Sequence, residues 1–265
     1  MYRQNQTTAK DQHAETPDWL WTELKARFNI KFDPCPHNPT FDGKIIPWKN
    51  YAYVNPPFKE TALWLQLAVD SKKNCLFLLP FTKMHRLFFK KFFQHVSRIW
   101  LMNTMICFKN YKKPLNKAMM LLEFGQCHKS HPLPVHQYAY YWDLPDKDRY
   151  LTTLFRYLQA AAPDTHPVLR LRHQLAKKIP QVFKLHSKCI LLMPSRLDLK
   201  FIRNHLTDLS ALIICPHLKN PANDHYSWVA TLVLVKGDLE NDTFIKQLPF
   251  IKYKIAIQTL NFGKD

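Results

Sequence analysis

Tyr51-Ala52-Tyr53-Val54-Asn55-Pro56-Pro57-Phe58 is the stretch from which the rest of this chain is read. Its first four residues are good strand formers, and the strand must stop where two prolines follow. The prolines fix the backbone, so the Asn55 side-chain oxygen and the Pro56 carbonyl are acceptors aimed in advance. Two such acceptors suit one kind of partner. An amino group conjugated to a base ring is a poor nucleophile because its lone pair is delocalised. Accepting hydrogen bonds from both of its N–H groups favours a more tetrahedral nitrogen. Phe58 offers a face on which an extruded base can stack, since the amino group cannot be reached inside a duplex. No metal or strong general base is required. The same four residues also make ordinary turns, so their surroundings carry weight.

Upstream, Thr16-Pro17-Asp18-Trp19 reads as a helix start, with Leu20, Leu24 and Phe28 on one face. Ile30-Lys31-Phe32 is a short strand ending at Asp33-Pro34-Cys35-Pro36, and residues 33–43 form a rigid loop. Downstream, a helix starts at Trp64, and Cys75-Leu76-Phe77-Leu78-Leu79 is a buried strand. A basic, Phe-rich helix is expected over 82–96, with strands over 99–108 and 118–124. This alternation predicts an α/β fold built on a Rossmann-like sheet.

The expected organisation is an arm over 1–13, a first domain over 14–127, a connector over 128–146 and a second α/β region over 147–265. The connector stretch is rich in His and Pro. Helices are expected over 147–162, 167–184, 199–209 and 241–248. Strands are expected over 189–193, 211–215, 228–235 and 250–260. The second region reads either as a ferredoxin-like sandwich or as a degenerate repeat of the first. The second option rests on an echo: Cys189-Ile-Leu-Leu-Met-Pro194 matches Cys75-Leu-Phe-Leu-Leu-Pro80, and both are followed by similar elements that close at Gly237 and Gly125.

Composition narrows the classes. The 265 residues carry 38 Lys and Arg against 20 Asp and Glu, a net charge of +18. That excess calls for a polyanionic partner, with nucleic acid first. No apolar run is long enough to span a bilayer, and Met1-Tyr-Arg-Gln-Asn-Gln6 lacks the apolar core of a signal peptide. Six cysteines without a Cys-x-x-Cys pair predict an intracellular, reducing compartment. Only four glycines exclude Gly-rich phosphate loops. Few Gly beside many Lys, Asn and Phe is also the usage of an AT-rich genome, such as that of a large DNA virus, which would place the chain in a host cytoplasm.

The succession Thr16-Pro17, Phe32-Asp33-Pro34-Cys35-Pro36, Phe41-Asp42-Gly43, Trp48 and Val54-Asn55-Pro56-Pro57-Phe58 resembles the phage-type DNA adenine-N6 methyltransferases. The resemblance covers about residues 14–126. It implies a methyltransferase sheet, with Asn55, Pro56, Pro57 and Phe58 as the catalytic motif and S-adenosylmethionine as methyl donor. It further implies that Asp33, in the Asp33-Pro34-Cys35 loop, holds the methionine ammonium. Asp42 would reach the ribose hydroxyls or the adenine amino group, while Thr16 and Pro17 close the pocket. This chain has Phe58 where Tyr is commoner, and residues 147–265 match nothing in that family.

Lys83, Arg86, Lys90, Lys109, Lys112, Lys113, Arg170 and Arg172 are candidate phosphate contacts, several of them interleaved with Phe. Cys127 with His128 and His131, or Cys215 with His217, lack the paired spacing of a zinc site, so no metal is expected. Two functions follow from the sequence. One is a methyltransferase acting on double-stranded DNA by base flipping. The other is a non-enzymatic DNA-binding protein, either an inactive methyltransferase fold or a transcription factor built from pseudo-repeats as TATA-binding proteins are.

Overall fold

The computed structural model describes residues 14–85, 90–109, 111–115, 117–130, 137–148, 150–170, 179–194, 208–215, 218–219, 231–237, 241–260 and 262. The expected arm over 1–13, most of the helix expected over 199–209, and Arg86 and Arg172 lie outside the described residues. The fold is α/β, with parallel and antiparallel pairings mixed. The chain divides into two units. The first comprises residues 1–81, 94–134 and 259–265; the second comprises 82–93 and 135–258.

In the first unit, β1 (Ala52–Val54) runs parallel to β2 (Cys75–Pro80). Strand β2 is antiparallel to β4 (Met119–Phe124), which is antiparallel to β3 (Val96–Met102). The order is β1-β2-β4-β3. Every residue of β2 and β4 is buried, as expected of strands covered on both faces. Phe32 makes a single parallel bridge to Ala52, which is what remains of the strand expected over 30–32. Helix α1 (Asp18–Arg27) buries Leu20 and Leu24 completely, one turn apart. Asp18 sits in its first turn and Lys25 and Arg27 in its last, each sign matching the helix dipole. Helix α2 (Thr61–Ser71) makes the crossover from β1 to β2 and buries Trp64, Leu65 and Ala68.

The second unit contains a 3₁₀ turn (Phe81–His85, from Thr82 on), α3 (Lys90–Phe93), β5 (Tyr138–Trp142), α4 (Leu151–Ala161), β6 (Val168–Arg170) and α5 (Ile179–Leu185). It continues through β7 (Cys189–Pro194), β8 (Leu209–Cys215), β9 (Thr231–Lys236), α6 (Asn241–Gln247) and most of β10 (Ile251–Leu260). Its strand order is β10-β5-β8-β9-β7-β6. Helix α4 buries Leu154, Leu158 and Ala161, spaced one helical turn apart, against this core.

The echo in the sequence is a structural repeat. β6 runs parallel to β7, β7 antiparallel to β9, and β9 antiparallel to β8, with the same order and directions as β1, β2, β4 and β3. Val54 pairs with Phe77, the third residue of β2, and Leu169 pairs with Leu191, the third residue of β7. Both modules slip register at the same place, between Val96 and Arg98 and between Leu209 and Ala211. The extra residue is a serine in each, and its hydroxyl donates to the opposing strand: Ser97 Oγ to Glu123 O at 2.8 Å, Ser210 Oγ to Val235 O at 3.2 Å. A bulge leaves a residue outside the ladder, and serine returns a hydrogen bond there. Each following strand ends on a glycine with positive φ, Gly125 at 68° and Gly237 at 103°. The second unit also contains two parallel strand pairs, β5 with β8 and β6 with β7.

Other expectations are corrected. The connector over 128–146 contains β5, whose Tyr-Ala-Tyr-Tyr-Trp run is a strand former masked in the reading by the prolines before it. Of the helix expected over 82–96, the described residues form a 3₁₀ turn at Phe81–His85, the helical stretch Lys90–Phe93 and the start of β3 at Val96, and 82–93 belong to the second unit. The helix expected over 167–184 begins as a strand because Val168–Arg170 pair with Ile190–Leu192. The strand expected over 99–108 lies at Val96–Met102. Among the described residues, no helix is long and apolar enough to cross a membrane.

Candidate functional site

Phe32, β1 and β2 are parallel neighbours, so their carboxyl ends lie on one side of the first unit's sheet. Asp33 follows the first and Asn55 the second. Crevices outside the carboxyl ends of parallel strands are where such sheets hold ligands. Here a cavity of about 770 Å³ is lined by Ala14 to Thr16, Asp18 and Trp21, by the loop from Asp33 to Lys44, and by Tyr53, Asn55, Pro57, Glu60, Trp64 and Lys109. That volume is in the range of small-molecule and cofactor sites.

Asn55 is anchored through its nitrogen. Nδ2 donates to the Ala14 carbonyl at 2.8 Å and to Thr16 Oγ1 at 3.3 Å. A backbone carbonyl can only accept, so the amide is fixed with its oxygen on the other side. That oxygen has no donor among the described residues. Thr16 Oγ1 is itself 2.8 Å from the hydroxyl of the buried Tyr53.

Asp33 is a carboxylate without a cation among the described residues. Burial pushes its pKa up to about 6, and the one opposing contribution is the Cys35 N–H donated to Oδ1 at 2.8 Å. Lys44, which also lines the cavity, is paired with Glu60 at 2.9 Å. The Cys35 thiol is pushed up to about 12, by burial first and then by the negative charges of Asp33 and Glu60. A thiol held neutral in this way is a weak nucleophile.

The loop over 33–43 is held shut at its two ends. A Cβ on Gly43 would overlap the Pro34 carbonyl oxygen, so only glycine fits there. The Gly43 carbonyl accepts from Trp48 Nε1 at 2.8 Å, and Asp42 Oδ1 accepts from Lys44 N at 2.9 Å. Glu60 ties this loop to α2, since it also accepts from Trp64 Nε1 at 3.2 Å.

Of the residues singled out in the sequence, Thr16, Asp33, Pro34, Cys35, Asp42, Asn55 and Pro57 meet at this cavity. Pro17, Pro56 and Phe58 are buried and do not line it. Phe58 belongs to the first unit's core at 6% exposure, with Lys117 Nζ 5.8 Å from its ring centroid. The aromatic faces at the cavity are those of Trp21, Phe41, Tyr53 and Trp64. Tyr53 and Trp64 could have been suspected from their closeness to Asn55 in sequence. Trp21 had no such signal.

The described candidate phosphate contacts are divided between the two units. Lys109 lines the cavity and pairs with Glu15 at 2.8 Å and Asp18 at 2.7 Å. Lys112 and Lys113 are exposed in the first unit. Lys83, Lys90 and Arg170 belong to the second, where Lys90 pairs with the buried Asp143 at 2.8 Å. No group of three metal-ligating side chains occurs among the described residues. A scan against protein-family models, a search of curated proteins and a search of solved structures each give no match.

Proposed function

We propose that the first unit is an S-adenosylmethionine-dependent DNA adenine-N6 methyltransferase, with the cavity described above as its active site. One observation carries this reading: Asn55 is anchored so that only its oxygen is left for a ligand, in the same cavity as a buried carboxylate that lacks a cation. Asn55 Oδ1 would accept an N–H of the amino group as it becomes nucleophilic, without reorganising. The stacking surface expected of Phe58 passes to Trp21 and Phe41, which face the cavity.

The residues present fit the methyl donor. Asp33, ionised above about pH 6, would take its ammonium, and Asp42 its ribose hydroxyls or adenine amino group. Thr16 would close the pocket, with Pro17 directing the chain into α1. The cofactor supplies an electrophilic methyl group. The net charge of +18 supports DNA as the polyanionic partner.

The repeat favours a division of labour. By register, the position of Asn55 is held in the second unit by Arg170, since Val54 and Leu169 are equivalent. Arginine only donates, so that unit has no acceptor at this position. It suits binding rather than chemistry, which also keeps the non-enzymatic DNA-binding reading in play. Incubation of the purified chain with labelled S-adenosylmethionine and DNA tests the proposal. Transfer to adenine N6, abolished in Asn55→Ala, is the expected result. No transfer and no thermal shift with S-adenosylmethionine, alongside salt-dependent DNA binding, would favour the DNA-binding reading instead.

A further inference from the structure

We propose that Thr16 is a positioning residue for Asn55: its hydroxyl, held by Tyr53, takes the second N–H of the Asn55 amide and leaves only the oxygen for substrate. This rests on the reading of the cavity as a methyltransferase site.

A primary amide is ambiguous. Its two ends are nearly the same size, and one donates while the other accepts. An Asn55 free to turn over would offer a donor as often as an acceptor. An amino substrate needs the acceptor. The Ala14 carbonyl at 2.8 Å sets the sense of the amide, because the flipped form would put two oxygens face to face. One anchor still leaves the second N–H available to swing toward the ligand. Thr16 Oγ1 at 3.3 Å removes that freedom. Its own place is not arbitrary. The Tyr53 hydroxyl lies 2.8 Å away on a ring that is 1% exposed, on the strand that leads into Asn55. Strand β1 therefore holds Thr16 through Tyr53, and Thr16 holds Asn55. With both N–H groups engaged, the carbonyl end is also the more polarised acceptor.

The segment that carries these anchors is fixed in turn. Glu15 and Lys109 form an antiparallel bridge, with Lys109 N donating to Glu15 O at 3.0 Å. Ala14 and Thr16 flank that bridge. The result is an Asn55 that presents only an acceptor to the cavity. It would select an exocyclic amino group over a ring carbonyl, because a carbonyl oxygen would meet Asn55 Oδ1 with no proton between them.

The test uses the full chain and three variants: Thr16→Val, Thr16→Ser and Thr16→Val with Tyr53→Phe. Two readouts are taken. One is the steady-state rate of methyl transfer to DNA. The other is proton exchange of the Asn55 side-chain NH₂, followed by ¹⁵N NMR and assigned by its loss in Asn55→Ala. Thr16→Val is expected to lower kcat about tenfold, the size of one lost hydrogen bond, with little change in KM for S-adenosylmethionine. It should also speed exchange of one Asn55 amide proton. Thr16→Ser should restore both. The double variant removes the orphaned phenol, so it should regain thermal stability while kcat stays low, which separates positioning from mere support. Wild-type kcat together with unchanged amide exchange in Thr16→Val would overturn the proposal. Should the wild-type chain transfer no methyl group, the functional reading fails, and the exchange readout still decides whether Thr16 holds Asn55.

Discussion

Replacing Asp33 by Asn removes a charge that the fold tolerates at a cost. Burial raises its pKa from the ordinary 3.8 to about 6, against a partial offset from the Cys35 N–H. The folded-state value is the higher one. Between these two values the folded chain holds a proton that the unfolded chain has released. Stability contributed at Asp33 is therefore present below about pH 4 and is lost as pH rises through about 6. A shift of this size corresponds to about 3 kcal/mol, of which about 2–3 kcal/mol is crossed between pH 4 and pH 7.5. Asn55 and Asp42 offer no cation to offset it, and Lys44 is committed to Glu60. Asp33→Asn keeps the acceptor for Cys35 N and deletes the titration. Whatever the amide costs in packing is the same at both pH values. Chemical denaturation of both proteins should thus show the variant gaining about 2–3 kcal/mol on the wild type from pH 4 to pH 7.5. The same variant should lose the thermal shift given by S-adenosylmethionine, because the ammonium then has no partner. A stability difference that stays constant over this range would refute the argument from burial. Retained cofactor binding in the variant would refute the role assigned to the carboxylate.

Gly43→Ala should unfold the loop over 33–43, since its Cβ would collide with backbone rather than with a movable side chain. A loss of about 2 kcal/mol or more, together with loss of cofactor binding, is expected by denaturation and calorimetry; wild-type stability would show that the two loop ends do not touch. Lys109→Met should release the segment from Glu15 to Asp18, which it holds through two ion pairs. Faster proteolysis ahead of α1 and a lower rate of methyl transfer are expected, with high salt reproducing part of the effect in the wild type. Unchanged proteolysis would mean that the backbone bridge alone holds the segment.

The continuous apolar run Cys75–Pro80 announced a strand buried on both faces, and Asn55-Pro56-Pro57 announced its neighbour's end. Asp33 and Asp42 are singled out by the family resemblance, and both line the cavity. What escaped notice depends on contacts distant in the chain. Thr16 and Tyr53 are 37 residues apart, and Lys109 and Glu15 are 94 apart. No local pattern links either pair. Lys109 was read by its charge as a phosphate contact, whereas its partners are two acidic residues of the cavity wall. Phe58 was read by its motif as a stacking face, whereas the 3₁₀ turn Phe58–Glu60 carries it into the core. β5 was missed because two of the three prolines and all three histidines of 128–146 precede it and dominate the composition of the window.

The division of the chain into units has a consequence for how the protein is made. The first unit includes residues 259–265, from the far end of the sequence. Phe262 packs edge-on against Trp19 at 5.6 Å, its N–H donates to Asn103 Oδ1 at 3.2 Å, and Arg27 lies 5.3 Å above its ring. Trp19 and Arg27 belong to α1, the helix that follows the anchors of Asn55. A chain emerging from the ribosome presents the residues that line this cavity before those of the second unit's sheet, yet it cannot close the packing under α1 until Phe262 has been synthesised. The second unit is complete first, and the site waits for it.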